Sequence, residues 1–413
     1  MGVRLRLMWV SVIVFNSVNY NEMKRFCYIA ILFFSVLGNI GCQKVDEPTN
    51  LTAIVVTTNP VQEIGLQTAS VTGSVGISSF CSFLLSEQQN LEDAIELKAE
   101  PIDSIGTYQV ELTQLTPGTT YYVAFCVTDG FQKVIGNVQN FKTLSYLSVR
   151  EVMALGWNES EPKPFTTSPL GSFLYTLTDT IPYPELINSS MKFEKEEWKL
   201  SVANGIPFEG TTKQLVAYFP YQSKAEDASQ VYISANTDFL YGSDVLSEED
   251  PIASLTLKHA MAKVVVELKK SSNSQLDFTI GTVSLRNNPT FVHRPIALAA
   301  YINCWTGECV REEPLEENAG LSVNGNSPLD VETPTIITFY VIPTSFSGGE
   351  VMLSVAAKDN ATDTYTTLFN GNTWESGRQY VYPVTITPSG MQIGDVYVED
   401  WQKNEGGTIV VKK

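Results

Sequence analysis

Short runs in which apolar and polar residues alternate with a period of two restrict the fold of this chain more than any other feature. In "TASVTGSV", Ala69, Val71, Gly73 and Val75 share one face. In "TYQVEL" the shared face carries Tyr108, Val110 and Leu112, and in "TYYVAFCV" it carries Tyr121, Val123, Phe125 and Val127. Alternation of this kind marks half-buried antiparallel strands. The Pro-Gly pair in "LTPGTTY" supplies a turn between the last two. Further along, "KQLVAYFPY", "AKVVVELK", "TIITFYVIPTS", "EVMLSVAAK" and "QYVYPVTIT" are β-branched or aromatic runs bounded by Gly, Pro, Asn or Ser. The stretch "LTLKHAMAKVVVELKK" also fits an amphipathic helix, but the Val264-Val265-Val266 triplet and the brevity of the run favour a strand. No βαβ rhythm is present, so no parallel sheet is expected and the chain reads as all-β.

With 413 residues there is room for two to three domains. A hydrophobic fraction of 43% and a charged fraction of 17% are those of a globular chain. Lys+Arg 27 against Asp+Glu 45 gives a formal net charge of −18. Such a surface repels phosphate backbones and anionic headgroups, which argues against nucleic acid or a polybasic membrane patch as a partner.

The apolar stretches lie at the N-terminus. Met23-Lys24-Arg25 followed by "FCYIAILFFSVLGNIG" has the basic n-region and short h-region of a secretory signal. Residues 1–41 are therefore expected to be a signal peptide, with Met23 as its working start. The border at Gly41-Cys42 resembles the lipobox of bacterial lipoproteins, although Asn39 stands where that family has an aliphatic residue. The resemblance implies acylation of Cys42 and a lipidated linker over 42–49. Several acyl chains then hold the protein firmly where one would not. Gln43-Lys44-Val45-Asp46-Glu47 resembles the acidic export signal of surface lipoproteins in Gram-negative anaerobes, which implies display on the cell outer membrane.

Two resemblances divide the rest. Leu115-x-Pro117-x-Thr119-x-Tyr121 is similar to the tyrosine corner of fibronectin type III domains, and "GNVQNFKT" to their last strand. Residues 50–145 are thus expected to form a type III-like sandwich. "LVAYFPY", "DFLYGSDV", "LKHAMAKVVVEL", "FYVIPTS" and "FNGNTWESGRQYVYPVTITPSGMQIGDVYVEDW" resemble, in that order, the fimbrillin-like family of surface pilus subunits. That resemblance implies two transthyretin-like β-sandwiches, over 146–268 and 269–413. It also implies joining of subunits by strand addition, in which a donated strand fills a groove beside unpaired backbone. In stalk members a trypsin-like protease opens that groove by cutting after an arginine. Arg150 in "LSVREVM" is the positional candidate here, with an ordinary linker arginine as the alternative. The terminal "GGTIVVKK" is either a last strand of its own sheet or a donor strand.

Sites for chemistry are few. His259 and His293 are the only histidines, and the acidic clusters "EKEEW", "SEED" and "EEPLEE" lack calcium-loop spacing. No GxSxG, P-loop or HExxH motif occurs. No metal, cofactor or catalytic residue is expected. Cys81 with Cys126, and Cys304 with Cys309, are candidate disulfides, each set with independent thiols as the alternative. Ser104 and Thr180 lie in triplets resembling O-glycosylation acceptors of the same bacteria.

The expected function is that of an anchor, accessory or tip subunit of a surface fibre, whose partners are other fimbrial subunits or ligands on host or bacterial surfaces. The alternative is a glycan-binding surface lipoprotein in which Trp157 or Trp305 stacks on sugars. A β-sandwich glycoside hydrolase is a third class.

Overall fold

A computed structural model describes residues 54–398 apart from 77–79, 104–105, 129–131, 179–182, 211, 273–276, 313–318 and 360–362. The first strands are β1 (Val56–Thr58), β2 (Ala69–Val75), β3 (Phe80–Ser86), β4 (Ile95–Lys98) and β5 (Glu100–Pro101). They are followed by β6 (Thr107–Leu112), β7 (Thr120–Thr128), β8 (Lys133–Ile135) and β9 (Gln139–Lys142). One sheet runs β1-β2-β6-β5; the other runs β4-β3-β7-β8, with β9 on the remaining part of β7. Alternation sends Val71, Val123, Phe125 and Val127 inward, where they meet Phe83 and Leu112. The Tyr121 hydroxyl accepts the Thr116 N–H at 3.0 Å and locks the corner. Gly73 is required beneath Phe125, because a Cβ there would lie 2.2 Å from the ring. This is a type III-like sandwich.

Next come β10 (Ser145–Tyr146), β11 (Ser148–Ala154), β12 (Lys163–Pro164), β13 (Leu170–Thr176), β14 (Tyr183–Glu194) and β15 (Glu197–Leu200). The set is completed by β16 (Pro207–Phe208), β17 (Lys213–Phe219), β18 (Val231–Ser234), β19 (Leu240–Leu246) and β20 (Ile252–His259). Eight strands run in the order β12-β11-β15-β14-β13-β17-β19-β20, and β11 also pairs with β20, so the sheet closes on itself. It encloses Leu170, Leu174, Met191, Leu215, Leu255 and Leu257.

The last sandwich holds β21 (Ala262–Lys270), β22 (Ile280–Asn287), β23 (Ala299–Ile302), β24 (Cys309–Arg311), β25 (Gly320–Asn324), β26 (Thr335–Val341) and β27 (Thr344–Phe346). After them follow β28 (Val351–Ala357), β29 (Thr364–Leu368), β30 (Asn372–Trp374), β31 (Gln379–Thr387), β32 (Gly390–Ile393) and β33 (Tyr397–Val398). One face is β26-β21-β31-β32 with β33 also on β31; the other is β25-β22-β28-β29. Trp374 sits at the centre, edge-on to Phe346 and Phe369, and its indole N–H donates to the Tyr382 hydroxyl at 2.9 Å.

Two pairings depart from the antiparallel expectation: β11–β20 and β21–β31 are parallel. A parallel pair needs a long crossover, which a helix commonly supplies. Here most of a sandwich serves as the crossover, so no βαβ rhythm is needed. The two larger sandwiches are also fused. Strand β18 pairs with β23, and β23 with β24. Under this small sheet lies a separate core in which Phe173, Val216 and Tyr218 meet Ala300, Ile302 and Ile342.

Candidate assembly site

Strand β11 closes the eight-stranded sheet. Its parallel ladder with β20 runs from Ser148↔Ile252 to Ala154↔Leu257. On its other side Val149 lies opposite Trp198 of β15. Leu147, Val149 and Val152 point into the core, while Arg150 and Glu151 are both exposed. Two successive outward residues break the alternation, and the register accordingly shifts between Val149 and Glu151. Such a bulge lets one strand carry an extra residue without losing its buried face. Arg150 is that extra residue. Its guanidinium donates to Ser254 Oγ at 3.4 Å, and the Ser254 N–H donates to Asp244 Oδ2 at 2.7 Å.

Arg150 therefore lies inside a paired strand and not in a connecting loop. A protease that needs an extended substrate reaches the bond after Arg150 only when β11 leaves the sheet. Elsewhere, among the described residues, β26 pairs with β21 alone, and the outer side of β31 is taken by β32 and β33. The terminal "GGTIVVKK" lies outside the described residues, as do Cys42, Ser104 and Thr180.

Trp157 and Trp305, the candidates for stacking on sugars, are half-buried and make ring contacts within the chain. A 3₁₀ turn, Trp157–Glu159, places the Trp157 ring 3.8 Å from that of His259 and 5.8 Å from that of Tyr340. Lys263 Nζ lies 5.7 Å from the Trp157 ring centre. The next residue, Asn158 (φ 60°), clamps the last sandwich: its N–H donates to Gly377 O at 2.7 Å, and its Oδ1 accepts the Gln379 N–H at 2.8 Å. His259 also contacts Asp238 Oδ1 through Nδ1 at 2.9 Å, so it backs the Trp157 ring from within its own sandwich. Trp305 is half-buried and lies edge-on to Tyr175 at 4.8 Å.

The cysteines divide. In the ladder Ser82 faces Cys126 and Cys81 faces Val127. Successive residues point to opposite faces of a sheet, so Cys81 packs against the core while Cys126 points outward. This corrects the expected Cys81–Cys126 bridge: the sheet itself separates the two sulfurs. Although outward, Cys126 is buried, with its sulfur 2.9 Å from Ser82 Oγ; burial pushes its thiol pKa up. Cys304 and Cys309 are both thiols in the core beneath β23 and β24. Burial raises both, Cys309 to about 11. Among the described residues no group of three or more His, Cys, Asp or Glu side chains is placed to hold a metal ion.

Sequence alone could not show the His259–Trp157 stack or the Asn158 clamp, whose partners lie 102 and about 220 residues away. The one local signal was the Asn, a residue type that tolerates positive φ.

A family model described as fimbrillin-like matches residues 175–401, more than half of the chain. Among solved structures, a candidate cell adhesion protein from Bacteroides ovatus is 20% identical, with 62% of this chain and 100% of that one covered and a TM-score of 0.46. A candidate cell adhesion protein from Bacteroides fragilis is 11% identical, with 63% and 100% covered and a TM-score of 0.38. The FN1–FN3 domains of chicken CNTN1 are 11% identical, with 75% and 96% covered and a TM-score of 0.19. No curated protein matches the chain.

Proposed function

The chain belongs to the fimbrillin-like family, and on that premise we propose that it is a lipoprotein displayed on the cell outer membrane that terminates or accompanies a surface fibre. In this reading residues 1–41 are a signal peptide with Met23 as start, and 42–49 form a linker acylated at Cys42. Residues 50–145 are a spacer domain, and 146–268 and 269–413 are the two sandwiches of the adhesive body. Its partners are other fibre subunits, met by strand addition, or ligands on other cells.

The observation that carries the reading is the filled seam at β11. A repeating stalk subunit must offer an empty strand place to its neighbour, because unpaired backbone beside an apolar groove is what a donated strand satisfies. Here that place is taken by the strand that leads directly out of the type III-like sandwich. Cutting after Arg150 would empty it, but would also discard the spacer and the lipid. An intact β11 therefore suits an anchor, accessory or tip position, and no catalytic role is assigned.

The test uses envelope fractions of cells that make the wild-type chain or Cys42→Ala. Palmitate labelling and detergent partitioning of the wild type, both lost in the variant, are expected. Mild denaturing gels should show the chain joined to other proteins but not as a ladder of its own multiples. A self-ladder whose chains begin at Glu151 would overturn the terminal role, and unchanged labelling of Cys42→Ala would overturn the anchor.

A further inference from the structure

A polar groove opens where the loop after β22 meets the ribbon formed by β27 and β30. It encloses about 480 Å³ and is lined by His293, Ser345, Phe346, Ser347, Glu350, Asn372 and Thr373. Nothing in the assembly seam or the junction between sandwiches uses these residues. We propose that this groove binds a neutral sugar residue of a cell-surface glycan.

Glu350 carries the argument. Its side chain is only 10% exposed, yet it is a carboxylate at the wall of an open groove. One oxygen, Oε2, accepts the Ser347 N–H at 2.6 Å and lies 2.9 Å from His293 Nδ1. The hydrogen bond from His293 holds the carboxyl below its ordinary range, so it is an acceptor at neutral pH. Among the described residues neither Oε1 of Glu350 nor the Ser347 hydroxyl has a hydrogen-bond partner. Glu350 Oε1 is open to solvent at the groove wall, where a donor from a ligand can take the place of water.

The walls are built rather than incidental. Asn288 fastens the loop to the facing turn: its N–H donates to Glu350 O and its side-chain NH₂ to Gly349 O, both at 2.8 Å. Gly349 has φ 88° and lies against the Phe291 ring, where a side chain would be crowded. On the opposite wall Ser345 pairs with Thr373 and Phe346 with Asn372. The Ser345 and Thr373 hydroxyls lie 3.0 Å apart, and Asn372 Nδ2 donates to the Tyr382 hydroxyl at 2.8 Å.

The lining selects the ligand class. Three hydroxyls both donate and accept, the carboxylate accepts, and the amide and imidazole add one or two sites each. That mixture matches the adjacent hydroxyls of a pyranose, while Phe346 offers an apolar face for its C–H groups. No Lys or Arg lines the groove, and the whole chain is strongly acidic, which disfavours a sulfated or phosphorylated ligand. One carboxylate beside one imidazole is too few ligands for a metal ion. A groove this polar does not suit a largely apolar ligand.

This inference rests on the adhesive reading of the body, and two assays separate their failures. In the first, the full chain is run through gels containing a mannan, a galactan, dextran or a sulfated glycan. Retardation by at least one neutral polysaccharide is expected. Thr373→Arg, which fills the groove from an exposed position, should abolish it, and Glu350→Gln should weaken it about tenfold. Thermal melts unchanged from wild type certify both variants as folded. Tyr232→Ala with Tyr301→Ala removes the exposed ring pair of β18 and β23 and should leave retardation intact. No retardation by any neutral glycan, retardation by the sulfated one alone, or full retardation of Thr373→Arg would each overturn the site. Loss confined to the tyrosine variant would overturn it too. The second assay measures attachment of the whole chain to cells. Attachment that survives Thr373→Arg overturns the groove and leaves the adhesive reading standing. Sugar binding by a chain that attaches to nothing leaves the groove standing and overturns the adhesive reading.

Discussion

Val152→Ala is the sharpest probe of the seam. Val152 is 2% exposed and lies opposite Leu255 in the parallel ladder of β11 with β20. Leu147, Val149 and Val152 all become exposed when β11 leaves. At about 2 kcal/mol each, their burial holds the strand by roughly 6 kcal/mol before the ladders are considered, an upper estimate because the open state is not fully extended. At that value Arg150 is open to a protease in about one molecule in twenty-five thousand. Removing two buried methyl groups from Val152 costs about 2 kcal/mol, which raises the open population about thirtyfold. Where reclosing outpaces cutting, cleavage follows that population. The assay is limited digestion with a trypsin-like protease, following by intact mass the product that begins at Glu151. Lys224, exposed in a turn, supplies an internal reference cut. Wild-type cleavage after Arg150 should be far slower than after Lys224, and Val152→Ala should accelerate the first cut alone. Wild-type cleavage after Arg150 at the Lys224 rate would refute the sealed seam. So would an Arg150 rate unchanged by Val152→Ala.

Trp157→Ala removes ring contacts with His259 and Tyr340 and the Lys263 contact; a loss of about 2 kcal/mol at the junction is expected. Hydrogen exchange at the Asn158 and Gln379 amides reads it, and unchanged protection would count against the clamp. For Cys304 and Cys309 the fold favours the neutral thiol, so the stability they contribute is present below the ordinary thiol value of 9.0 and is lost as pH rises through about 11 for Cys309. Native alkylation at pH 9 should be slow at both and fast after unfolding. A mass lower by two hydrogens, with no alkylation in either state, would show instead that they are joined.

Strand content and the type III corner were legible because their causes are local. Period-two burial is written along each run, and Tyr121 needs only Thr116, five residues back. The sequence also carried the outward direction of Cys126, but not its burial. Beside it on that face lie Ser82, which bonds Glu96, and the ion pair of Glu96 with Lys133 at 2.9 Å, both brought there by neighbouring strands of the sheet. Closure of the sheet by β11 was not legible either, since it requires a partner about a hundred residues on. The same holds for the groove, in which His293 meets Glu350 across 57 residues. Loops and distant partners carry no period, so pattern reading passes over them.

The fused core gives these elements a common mechanical sense. In the proposed reading, a lipid on Cys42 and a glycan in the groove act on each other only through the structure between them. From β11 to β31 that structure is continuous. Ala260 and Met261, the link between the two sandwiches, are fully buried, β18 and β23 cross-pair, and the Asn158 clamp holds the start of β31. Load arriving at the groove would enter ladders seven and eight residue pairs long, β21 with β26 and β21 with β31. Toward the tether, the chain leaves the first sandwich through β10, which meets β16 over two residue pairs. A two-pair ladder yields before an eight-pair one, because fewer hydrogen bonds and less apolar surface must be given up. The β10 connection, two ladder pairs and the Leu147 N–H donating to Ile206 O at 2.8 Å, is therefore weaker than the ladders inside the body. Tension along the chain passes from the first sandwich through β10 into β11, so once the two-pair ladder yields, the ladders of β11 with β15 and β20 are the next to bear it.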